Sequence, residues 1–134
     1  MKKAKKKFFL IEIPVYNIDI AVSIGQTIGE LKRSLEGVWE DITDDEGFPE
    51  EIPAHAGGMT LRRTIGPHII PYAIVFPVHP TKQQSFDGHA SISHEAFHVA
   101  FETLVSRGIF PSPDTEEAYA YLVGHLVREI YKNL

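Results

Sequence analysis

The hydrophobic pattern of this chain changes period several times, and each change marks an element. Residues 8–16 (FFLIEIPVY) are aromatic and β-branched and read as a strand, with Pro14 placing it at a sheet edge or marking a bulge near its end. Residues 17–24 (NIDIAVSI) alternate apolar and polar, the period of a half-buried strand. The period then lengthens: Ile28, Leu31 and Leu35 form one stripe of a short helix over 28–36. Thr27 and Glu30 stand at capping-box spacing at its start. Residues 37–58 are irregular, with Pro49, Pro53 and the pair Gly57-Gly58.

Two further strands are expected, at 59–65 (MTLRRTI) and 68–78 (HIIPYAIVFPV). The second is bounded by Pro67 and Pro80 and contains Pro71 and Pro77, which predicts an edge strand, open to an extended peptide. Residues 79–90 are polar and read as a loop. A helix follows over 92–107, capped by Ser91 or Ser93, with Ala96, Phe97, Ala100, Phe101, Leu104 and Val105 as its apolar surface and Gly108 as its stop. A last helix is expected over 115–132, with Asp114 and Glu117 at capping-box spacing. The order of elements predicts an α+β domain: a small mixed or antiparallel sheet with helices packed on one face.

Length and composition narrow this picture. The 134 residues fit one domain, 43% apolar and 23% charged, ordinary for a globular chain. There is no cysteine, so a metal would have to be held by His and carboxylate, and a reducing compartment, the cytoplasm, is expected. The net charge of −5 is unevenly spread. Residues 2–7 carry five of the thirteen basic side chains and read as a Lys-rich flexible tail, not as a contact for nucleic acid. Residues 36–51 carry eight acids and no base, which reads as a solvated loop or as an acidic rim selecting basic substrates. The apolar run after the lysines is broken by Glu12, Pro14, Asn17 and Asp19, so it is no signal peptide, and no stretch has the length of a membrane span.

The chemistry concentrates in Ser91–Phe101, where a His-Glu-x-x-His pattern falls on a helix. At 100° per residue His94 and His98 lie about 40° apart on one face, one turn from each other. Their imidazoles can therefore converge on a tetrahedral Zn²⁺. Glu95, beside the first of them, can take a proton from a water at that ion. The competing explanation is an amphipathic helix with two half-buried histidines that only satisfy hydrogen bonds. A third ligand is expected from the last helix. There Glu117, Tyr121 and Gly124 fall at i, i+4 and i+7, and a mid-helix glycine suits a close approach of two helices. Glu116 is the competitor, and both acids also suit the positive end of the helix dipole. The seven residues 108–114, up to about 23 Å when extended, are long enough to bring either glutamate to the histidines. Glu102, four after His98, could orient that ligand. His55, His68, His79 and His89 read as solvated loop histidines, and Tyr119, Tyr121 and His125 are candidates to steady a developing oxyanion.

His94-Glu95-Ala96-Phe97-His98 followed by Glu117-Ala118-Tyr119-Ala120-Tyr121 resembles the gluzincin group of zinc metallopeptidases, in a small stand-alone form, over roughly residues 68–132. The resemblance implies zinc on His94, His98 and Glu117, Glu95 as general base, and a peptide or protein as substrate. It departs from larger gluzincins at Tyr121, which stands where they often carry an acid supporting the ligand glutamate. The long metzincin pattern is excluded, because Phe101 and Leu104 stand where it needs Gly and His. A rival reading is a non-catalytic zinc-stabilised structural or assembly protein of phage or mobile-element origin.

Overall fold

The computed structural model describes residues 5–36, 39, 57–63, 69–82 and 87–134. The acidic stretch beyond Glu36, together with His55 and His68, lies outside them. The chain is an α+β fold. Strand β1 (Lys7–Ile13) turns through a 3-10 segment at Pro14–Tyr16 into β2 (Ile18–Ile24). Helix α1 (Ile28–Glu36), β3 (Met59–Arg62) and β4 (Tyr72–Phe76) follow, and helices α2 (Asp87–Val105) and α3 (Glu116–Lys132) complete it.

The sheet order is β1-β2-β4-β3, with β2 and β4 parallel and both outer pairs antiparallel, so the sheet is mixed. Pro14 ends β1, an edge strand as expected, and Asn17 takes the left-handed conformation (φ 53°) that reverses the chain. The other edge differs from expectation. It is β3, not the run containing Pro71 and Pro77, that lies outermost. Those prolines flank β4 directly instead of interrupting it, so all five residues pair with β2 and four of them, Tyr72 to Val75, also pair with β3. All five are buried, as a strand covered on both faces must be.

The helices also lie on both faces of the sheet, not on one. Ala21, Ala73 and Val75 meet Leu31 and Leu35 of α1 and the Trp39 indole, whose Nε1 donates to the Ile70 carbonyl (2.7 Å). Ile20, Val22, Ile24, Tyr72, Ile74 and Phe76 point the other way, into Ile92, Ala96, Val99, Ala100 and Leu104 of α2 and Tyr119, Leu122, Leu126 and Ile130 of α3. The cap of α1 is as expected, with the Glu30 amide donating to Thr27 Oγ1 (3.2 Å). Within the Lys-rich start, Lys6 and Lys7 are engaged by the fold. Lys6 pairs with Glu30, which holds that carboxyl below its ordinary range, and Lys7 opens β1.

Helix α2 begins a turn earlier than its serines predict. Its buried Gly88 lies against the Pro80 carbonyl, where a Cβ would sit only 1.7 Å from that oxygen. The close approach requires glycine there, and it lets the first turn form against the preceding 3-10 turn. Gly108 (φ +75°) ends the helix as expected. Among the described residues no helix is long and apolar enough to cross a membrane.

Candidate metal centre

The site forms where α2 crosses the edge strand β3. Helix α2 buries Ile92, Ala96, Val99 and Leu104 against the sheet, which leaves His94 and His98 on its outer side. There the two Nε2 atoms lie 3.0 Å apart, with the rings edge to face (centroids 4.7 Å apart). Two imidazole nitrogens on one tetrahedral zinc, each at 2.0–2.1 Å, would be about 3.3 Å apart. The pair is therefore close to the spacing a shared ion needs, and it offers the same nitrogen from each ring.

Glu95 is turned inward, 5% exposed, between helix and strand. Thr60 Oγ1 donates to its Oε2 at 2.5 Å, and its Oε1 lies 4.0 Å from His94 Nε2. The sheet register explains the contact. Side chains of a strand alternate, so Gly58, Thr60 and Arg62 share the face toward α2. Gly58 lies against Glu95 Cγ, Thr60 reaches the Glu95 carboxyl, and Arg62 Nη1 donates to Glu102 Oε2 (2.7 Å).

Two cavities meet at Glu95. One, of about 330 Å³, is lined by Met59, Thr60, Arg62, Tyr72, Glu95, His98 and Glu102. The other, of about 320 Å³, lies between Gly57-Gly58 and the Ala90-Ser91 turn of α2, and is bounded by His94 and Glu95. At the first, burial pushes the Tyr72 phenol above its ordinary range, and the nearby Glu102 charge adds to this, so Tyr72 remains a hydrogen-bond donor at neutral pH.

The chain matches no protein-family model, no curated protein and no solved structure. Its resemblance to metallopeptidases thus stands on the sequence motif alone.

The structure joins His94, Glu95 and His98 and leaves out the third expected ligand. Glu116 and Glu117 are both exposed, and among the described residues no group of three or more His, Asp or Glu could hold a metal ion. The reason lies in how α3 packs. Its buried stripe is Tyr119, Leu122, Leu126 and Ile130, and Glu117 precedes Tyr119 by two residues, 200° around the helix. Tyr121, two residues after Tyr119, is 76% exposed for the same reason. Gly124 is exposed, with open space where its Cβ would be, so it marks no close helix contact.

Other expectations shift too. Glu102 is held by Arg62 on β3. The expected oxyanion donors are taken or distant: Tyr119 donates to the Ile109 carbonyl (2.6 Å), His125 Nε2 to the Glu12 carbonyl (2.9 Å), and Tyr121 borders a groove between α3 and Pro14–Tyr16. His89 stacks on Tyr131 and hydrogen-bonds its hydroxyl, and His79 contacts the Thr81 hydroxyl. Thr60, Arg62 and Tyr72 were not expected at the site. The alternation Gly58-Thr60-Arg62 was the available signal, but without the strand order nothing connected it to α2.

Proposed function

We propose that this chain is a zinc-dependent metallopeptidase built on its His-Glu-x-x-His segment, acting in the cytoplasm on peptide or protein substrates. One observation carries the reading: two Nε2 atoms 3.0 Å apart with a buried carboxyl, Glu95, beside them. His94 and His98 would supply two of the three protein ligands that a catalytic zinc takes, and among the described residues no third joins them. Bound between His94 and His98, the ion would polarise a scissile carbonyl and lower the pKa of a water. Glu95 would accept that water's proton and return it to the leaving amine. An extended substrate would add to the outer edge of β3, which pairs with no further strand among the described residues and runs past Glu95, with side chains entering the cavities on either side. Tyr72 and Arg62, which border the first cavity, are the donors placed to meet the substrate's carbonyl oxygens.

The rival reading, a zinc-stabilised assembly protein, is favoured by a different observation. Phe97 and Phe101 are exposed and tilted together (centroids 6.0 Å apart) on the outer side of α2, beside the histidines. A peptide-library digest with and without chelator separates the two. The peptidase reading expects cleavage that chelator abolishes and zinc restores. It also expects Glu95→Gln to keep its metal and lose turnover by about 10³-fold. Zinc-dependent melting without cleavage would support assembly. Turnover surviving in Glu95→Gln would remove Glu95 as the base.

A further inference from the structure

Glu95 is met at two points, by β3 and by Gly58 just before it, and the grip is asymmetric. The terminal torsion of a glutamate is soft, with two nearly equivalent oxygens. Here the Thr60 hydroxyl donates to Oε2 at 2.5 Å, the length of a hydrogen bond to a carboxylate oxygen. Two residues earlier on the same face, a Cβ at Gly58 would lie a tight 3.0 Å from Glu95 Cγ and 3.1 Å from the Phe76 ring, so glycine lets the two side chains close in unshifted. The side chain is thus held at its carbon by packing and at one oxygen by a donor. Oε1 is the oxygen left on the histidine side, 4.0 Å from His94 Nε2.

We propose that Thr60 is the positioning residue for Glu95: by occupying Oε2 it makes Oε1 the atom that receives the proton of the attacking water. The proton passes from water to Oε1 and then to the leaving nitrogen, while Oε2 keeps its bond to Thr60 throughout. This inference rests on the peptidase reading for the proton transfer, but the lock itself is a property of the metal-free chain. Misplacing a reacting group by about 1 Å costs on the order of 10²-fold in rate. Loss of the donor should therefore act on kcat.

The test compares Thr60→Val, Thr60→Ser and the unaltered protein in two measurements. In the metal-free protein, the carboxylate infrared band of Glu95 is isolated by difference against Glu95→Gln. The band should shift in Thr60→Val and stay in place in Thr60→Ser. In the zinc-loaded protein, Thr60→Val should lower kcat by about 10- to 100-fold with KM within about twofold, and Thr60→Ser should recover most of the loss. An unmoved band in Thr60→Val overturns the lock. So does a serine variant as impaired as the valine one, or a loss carried by KM. If the unaltered protein cleaves nothing, the peptidase reading and the catalytic role of Thr60 fall together, and the infrared band alone decides whether Thr60 fixes the carboxyl. Should Thr60→Val not fold, Thr60→Ala removes the hydroxyl without placing a second methyl against α2.

Discussion

The two long helices both carry histidine and glutamate, and they use their polar side chains in opposite ways. On α3, Tyr119 and His125 each reach a backbone carbonyl, at Ile109 and at Glu12, and thereby tie the helix to the preceding loop and to β1. On α2, His94 and His98 turn to each other, and Glu95 and Glu102 turn to Thr60 and Arg62 on β3. A histidine or tyrosine that bonds a main-chain carbonyl serves the fold, because that bond satisfies a group folding would otherwise strand. Side chains that converge on one another beside open cavities are arranged for something else. A histidine occurs on each helix, and its partner is what tells the two roles apart.

The largest effect expected from this contrast is on metal binding. His94→Ala should abolish zinc-dependent stabilisation, whereas His125→Ala on α3 should leave it intact. For the unaltered protein at zinc one hundred times its dissociation constant, stabilisation of about 2.7 kcal/mol is expected. In a melting experiment that is a rise on the order of 10 °C. Equal loss in both variants, or in neither, would erase the distinction between the helices.

A smaller effect should come from the fold-serving side. Burial pushes the Tyr119 phenol upward, so it stays a donor to Ile109 across the neutral range. Tyr119→Phe removes that donor while keeping the ring beside Phe101 (centroids 6.2 Å apart). The melting temperature should fall by a few degrees, with zinc affinity and turnover unchanged. A large loss of turnover would mean that α3 takes part in the chemistry after all.

How much of this was legible in the sequence follows the same division. Period and capping placed α1 at 28–36 and the His-Glu-x-x-His segment on a helix, because both signals are local. The α+β class followed from the order of elements. What depended on partners distant in sequence was misread. The prolines around 72–76 pointed to an edge, and only the pairing of β4 with both β2 and β3 shows that they flank an interior strand. Thr60 lies 35 residues from Glu95 and Arg62 lies 40 from Glu102, separations that no periodicity bridges. The stripe Glu117-Tyr121-Gly124 was a true helical stripe, but it is not the one that α3 buries.

The smallest and sharpest prediction concerns Glu117, the ligand expected from the sequence. Its helix is anchored by Tyr119, Leu122, Leu126 and Ile130, all on the buried side, and the first turn is fixed by the Thr115 hydroxyl donating to the Phe110 carbonyl (2.6 Å). Glu117 lies off that buried stripe and is exposed. Glu117→Ala should therefore alter zinc affinity by less than about threefold and stability by less than about 0.5 kcal/mol, the usual range for an exposed position. Competition titration against a chelating dye measures the first and thermal melting the second. A loss of zinc affinity of tenfold or more, with melting of the metal-free protein unchanged, would show that α3 closes on the ion when it binds. The contrast between a fold-serving helix and a chemical one would then hold only for the metal-free state.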